Sequence, residues 1–156
     1  MRKSLNIVLG LVLSIGFLTG CGGKEETAIK VAIAAPQTGD FAEYGNGFRN
    51  AVLLKAKEVN ETGGVLGKQV EVLVFDDKNN GEEAATIAEK ISADESIMGV
   101  IGHFASGVSM AASPIYQEVG IVEISPSASH PDYSGEGDYI FRKVTPLMLN
   151  QPFFTP

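Results

Sequence analysis

The chain has 156 residues, the size of one ordinary domain. At 44% hydrophobic and 20% charged, its composition suits a packed core and excludes a disordered polymer. The formal net charge is −7, with no basic cluster beyond the first three residues, so no nucleic acid partner is expected, because neutralising phosphates takes grouped Lys and Arg. One cysteine rules out an intrachain disulfide and a Cys-based metal cluster. The two histidines, His103 and His130, are too far apart for a metal-ligand spacing, and neither a metal nor a cofactor is expected.

Arg2 and Lys3 open the chain, and an apolar run from Leu5 to Phe17 follows, broken only by Asn6, Ser14 and glycines. Leu18-Thr19-Gly20-Cys21 comes next, then Gly22-Gly23-Lys24-Glu25-Glu26-Thr27. A positive start, a short apolar stretch and small residues at a break are the parts of a secretory signal. The run is short for a membrane-spanning helix, which needs about 20 apolar residues. The segment resembles a bacterial lipoprotein signal over residues 1–20, with Cys21 as the residue that takes lipid and 21–28 as its tether. Cleavage would remove Arg2 and Lys3 and no acid, leaving 10 basic and 19 acidic residues and a net charge of −9. Such a chain is repelled by anionic lipid, so acyl chains would have to hold it at the outer face of the membrane or in the periplasm.

From Ile29 apolar strands alternate with amphipathic helices. Ile29–Ala35 reads as a strand stopped by Pro36, Gln37–Gly47 as a glycine-rich loop, and Phe48 to about Glu61 as a helix with Phe48, Ala51, Val52 and Val59 on one side. Val70–Phe75 reads as the second strand, and Asp76–Gly81 as turn material. The next helix carries Ala84, Ile87, Ala88 and Ile91 at i, i+3, i+4 and i+7. Ile97–Gly102 is the third strand. A third helix runs near Gly107–Glu118 with Val108, Ala111, Ala112 and Ile115 on one face, and Pro114 inside it predicts a kink or a late start. Gly120–Ser125 is a fourth strand and Tyr139–Phe141 a short fifth. This order predicts an α/β fold, a doubly wound parallel sheet with helices on both faces.

In open parallel sheets ligands sit beyond the carboxyl ends of the strands. Those positions here are Pro36–Gly45, Asp76-Asp77, Gly102–Gly107 and Ser125–His130. A hydroxyl beside free amides at a helix start suits a carboxylate; Ser106 occupies such a place, and serves equally as a helix cap that needs no ligand. Ser127 and Ser129 flank a Pro126 turn that serine favours for its own sake. Tyr44 could be a rim or a core aromatic. His103 and Ser106 could be taken for a base and a nucleophile, but no third orienting group is indicated. Asp76-Asp77 reads as a strand-end cap or helix-start charge rather than a cation site.

Tyr44-Gly45, Phe75-Asp76-Asp77, Val100-Ile101-Gly102-His103 and Ile124-Ser125-Pro126-Ser127-Ala128-Ser129 follow the four strands in turn. As an ordered set behind a lipobox they resemble the leucine/isoleucine/valine-binding protein family, type I solute-binding components of ABC importers. The resemblance covers about Ile29–Phe141. It implies the first lobe of a two-lobed clamp over 29–142, a non-enzymatic protein that passes a small amino acid to an ABC permease. Carried over by position, Ser106 would hold the ligand's α-carboxylate by its hydroxyl and adjacent amide. Ser127 would offer main-chain groups, and Ser129, where many members have threonine, would bond the ammonium or carboxylate. Tyr44 would line the cleft. A sensory domain of the same fold, or a site for amides or urea-like solutes, is the alternative. No Gly-x-Gly-x-x-Gly follows a strand and no Gly-x-Ser-x-Gly elbow occurs, which counts against a doubly wound enzyme.

Residues 143–156 depart from the family pattern and read as an aberrant or truncated tail in place of a hinge into a second lobe. Two expectations follow: a sheet edge and an apolar face left uncovered, and weak binding or none by this chain alone, since ligand sites bury most of their ligand.

Overall fold

The computed structural model describes residues 28–144. The leader and Cys21 lie outside these residues, as do the tether and the tail but for Ala28, Lys143 and Val144. The elements run β1 (Ile29–Ala35), α1 (Ala42–Glu61), β2 (Val70–Asp76), α2 (Gly81–Ser92), β3 (Ile97–Gly102), α3 (Ser106–Val119), β4 (Val122–Ser125), a short 3-10 helix (Pro131–Gly135) and β5 (Ile140–Arg142). The strands form one sheet in the order β2-β1-β3-β4-β5, every pair parallel. The α/β expectation holds.

Strand parity decides what each face of the sheet buries. Ala32 and Ala34 of β1 and Val100 of β3 point into a core with Ala84, Ile87, Ala88 and Ile91 of α2 and Val108, Ala112 and Tyr116 of α3. The four apolar positions of α2 are those that its period assigns. Asn80 starts this helix by accepting the amides of Glu82 and Glu83 on its side chain, at 2.9 and 3.0 Å. Gly120, at φ +77°, ends α3 in the left-handed conformation.

The opposite face is less well covered. α1 lies over β1 and β2, leaving an apolar groove of about 340 Å³ lined by Val31, Val52, Ala56, Val59, Val72 and Ile101 among others. Farther along that face Ile124 and Phe141 remain 43% and 49% exposed.

Two local expectations fail and a third is narrowed. The first helix begins at Ala42, not Phe48. Its early glycines read as loop, yet Gly45 is buried inside the helix, where a Cβ would lie 1.8 Å from the Pro36 carbonyl oxygen. The residue lets α1 approach the end of β1 rather than breaking the helix. On the same helix Phe48, Val52 and Val59 are half-buried, whereas Ala51 is exposed at the margin of the groove. Of the two outcomes expected of Pro114, a kink or a late start, the late start is excluded, because α3 runs from Ser106 through Pro114. Pro114 lies on the exposed side, so the helix carbonyl left without its amide partner faces water.

Candidate ligand-binding rim

The connection from β1 passes to α1 on one face of the sheet, while β3 passes to α3 on the other. The loops after these adjacent strands therefore diverge, and a crevice opens between them at the carboxyl end of the sheet. Phe104, just after β3, stands in it. Its ring stacks on Tyr44 of α1, with centroids 4.8 Å apart and planes inclined at 21°. Phe41 and Phe48 approach the same ring at 5.5 and 6.1 Å. Tyr44 is 55% exposed, so it is a rim aromatic and not a core one.

Hydroxyls hold the other wall. The Ser106 oxygen accepts the amides of Ser129 and His130 at 3.1 and 3.2 Å. It therefore draws the loop after β4 onto the start of α3 and keeps its own proton free to donate. The cap residue of α3, Ala105, has no side chain that could accept the first amides of the helix. The amide end of α3, with its partial positive charge, is left open for an acceptor. Ser127 donates its hydroxyl to the Phe104 carbonyl at 2.6 Å, and Ser129 enters through its amide rather than its hydroxyl. Tyr44, Ser106, Ser127 and Ser129 thus lie at one end of the sheet, linked through Phe104 and the two loops.

Beneath the rim a buried polar layer fixes these loops. Asp77 and His103 are both fully buried and meet at 2.7 Å between Oδ2 and Nδ1, with the Tyr116 hydroxyl 3.4 Å from Nε2. The Ser125 hydroxyl donates to the His103 carbonyl at 2.8 Å and accepts the Ala128 amide at 2.9 Å. On the outer side, the Asp76 carboxylate binds the Thr38 hydroxyl at 2.6 Å and the amides of Gln37 and Lys78 at 2.8 and 3.0 Å. Partial burial pushes this carboxyl up, but these hydrogen bonds outweigh it and hold it below the usual range. Asp76 is spent on capping the loop after β1, the structural role expected for it.

An orienting group for His103 does exist, contrary to the sequence expectation: it is Asp77, 26 residues away. It does not make a hydrolase. The imidazole is sealed from solvent, its second nitrogen faces Tyr116, and the Ser106 hydroxyl is engaged with the loop after β4 instead. A nucleophile needs its base within hydrogen-bond reach and its own face open to substrate. Among the described residues no group of three His, Cys, Asp or Glu side chains is placed to hold a metal ion. Phe104 was missed as a site residue, although a lone aromatic in a run of small residues after a strand is a visible signal.

The model of the periplasmic binding protein family matches residues 28–146, a family of binding proteins and not of enzymes. The Leu/Ile/Val-binding protein homolog 1 of Brucella abortus is 38% identical over 137 residues, covering 88% of this chain and 36% of that protein. A solved branched-chain amino acid ABC transporter protein from Rhodospirillum rubrum superposes with a TM-score of 0.74 at 39% identity, over 76% of this chain and 34% of that one. The branched-chain amino acid transporter substrate binding protein LivJ of Streptococcus pneumoniae, solved with isoleucine, gives 0.73 at 30% identity, over 76% and 34%. The chain spans about a third of the length of the curated relatives it matches.

Proposed function

The chain belongs to the periplasmic binding protein family, and from that premise we propose that it carries the first-lobe half of an amino acid site serving an ABC importer. The ligand is a branched-chain or related amino acid. Its α-carboxylate accepts hydrogen bonds from the Ser106 hydroxyl and the open amides at the start of α3, where the helix dipole favours an anion. Ser127 main-chain groups and the Ser129 hydroxyl take the ammonium or the second carboxylate oxygen. Tyr44, backed by Phe104, covers the apolar part of the ligand. The chain is exported and held outside the cytoplasm by lipid on Cys21, beside an ABC permease that receives the ligand.

The observation that carries this reading is the convergence at Ser106. Its oxygen is satisfied by two amides of the loop after β4, at 3.1 and 3.2 Å, so the hydroxyl is left as a fixed donor beside an uncapped helix start. A serine acting only as a helix cap would turn its oxygen to the amides of its own helix.

The rim is open, and ligand sites ordinarily bury 70–90% of a small ligand. Binding by this chain is therefore weak, with Kd near 1 mM, or about −4 kcal/mol. Adding leucine, isoleucine or valine to the labelled chain should shift the amide resonances of Ser106, Gly107, Ser129 and His130, and Ser106→Ala should abolish the shifts. Saturating shifts centred elsewhere on the chain, or none at the rim at tens of millimolar ligand, would defeat the proposal. Incorporation of labelled fatty acid, lost in Cys21→Ser, checks the anchor.

A further inference from the structure

Glu123 lies in β4 with its side chain on the helix-covered face, fully buried. The register places it beside the core residue Val100 of β3 on one side and Ile140 of β5 on the other. Its Oε2 is 2.8 Å from the Ser113 hydroxyl oxygen of α3, and that hydroxyl is also 2.7 Å from the Ser109 carbonyl oxygen. A hydroxyl has one proton to give and a carbonyl can only accept. With the Ser113 proton on the Ser109 carbonyl, the bond between Ser113 and Glu123 requires a proton from the carboxyl.

The surroundings agree. Glu123 Oε1 and the Tyr133 hydroxyl of the 3-10 helix are both buried without a hydrogen-bond partner. The ionisable groups that face the carboxyl are Tyr116 from α3, Tyr133 from the 3-10 helix and Glu136 just after it, with the Asp77 and His103 pair beyond Tyr116. No lysine or arginine pairs with it among the described residues. Arg142 lies over the Tyr133 ring at 5.9 Å and spends its guanidinium on the carbonyls of His130 and Pro131. A bare carboxylate in such a place is costly, so the neutral acid is the stable form.

We propose that Glu123 is an uncharged acid in the folded chain, donating to Ser113, and that its ionisation is a pH-sensitive switch loosening the seam between β4, α3 and the 3-10 helix. Burial, first of all, pushes its pKa up to about 8. Two residues on, Ser125 holds both loops of the rim, so the seam lies directly beneath the ligand-binding end. This holds whether or not an amino acid binds there.

The sign follows from proton counts. Between the ordinary carboxyl range and about pH 8, the folded chain keeps a proton that the unfolded chain has released. Its stability relative to unfolding therefore falls as pH rises through this window and levels off above it. Glu123→Gln supplies the same donor to Ser113 without a titrating proton. In chemical unfolding of the chain from pH 5 to 8, the unfolding constant of the native chain relative to E123Q should rise close to tenfold per pH unit in the middle of the window and about 400-fold in all. A ratio constant to within threefold overturns the proposal. Should E123Q fail to fold, the side-chain carboxyl ¹³C resonance of Glu123 in the native chain decides. A midpoint near 8 supports the neutral acid, and a midpoint in the ordinary carboxyl range overturns it.

Discussion

Gly45→Ala tests how the fold sets the rim. A Cβ at this position would stand 1.8 Å from the Pro36 carbonyl oxygen, and ordinary contact begins at 3.4 Å, so α1 and the end of β1 must part by about 1.6 Å. Neither side yields easily. The Pro36 carbonyl is backbone in a fully buried residue, and the Gly45 carbonyl is tied to the Gln37 side chain. Overpacking of this kind costs about 3 kcal/mol. Alanine returns about 1 kcal/mol through its higher helix propensity, for a net loss of about 2 kcal/mol. In urea this lowers the unfolding midpoint by roughly 1 M. Tyr44, the preceding residue, should also lose its stack on Phe104, visible as a change in the ring resonances of both. Gly47→Ala is the control. It lies in the same helix with nothing within 4 Å of its Cβ, and should gain about 0.5–1 kcal/mol. A Gly45→Ala chain as stable as Gly47→Ala would refute the reasoning, because propensity alone would then govern both sites.

Two further substitutions probe parts of the fold that support the rim. Asn80→Ala removes the side-chain oxygen that accepts the amides of Glu82 and Glu83, and should cost about 1 kcal/mol in urea unfolding. Asp77→Ala leaves the buried His103 ring nitrogen without its hydrogen-bond partner; a loss of about 1–3 kcal/mol is expected by the same assay, and no measurable loss would show that this pair does not fix the loop after β3.

α2 shows how far periodicity reaches. Ala84, Ile87, Ala88 and Ile91 repeat at helical spacing and are all buried, since one face of one helix packs on one face of one sheet. β4 shows where it stops. Val122-Glu123-Ile124-Ser125 reads as a buried apolar strand, and the apolar residues suggest which side faces the core. The register with β3 sets the parity the other way. Glu123 and Ser125 are fully buried, while Ile124 is 43% exposed. No feature internal to those four residues carries that information. α1 fails for a related reason. Glycines near a helix start read as loop until the neighbouring strand end shows that one of them is needed for close approach.

The chain order of apolar runs and breaks by itself determined the α/β class, the strand sequence and the set of loops at one end, because each of these follows from local propensity and period. The lipobox-like segment and the loop motifs also carried the family resemblance that the comparisons uphold. Tertiary structure alone decided which side chains meet: Asp77 with His103, Ser106 with the amides of Ser129 and His130, Glu123 with Ser113. Those partners are 10 to 26 residues apart, and the distances between them are set by strand register and helix placement, which no local stretch of sequence encodes.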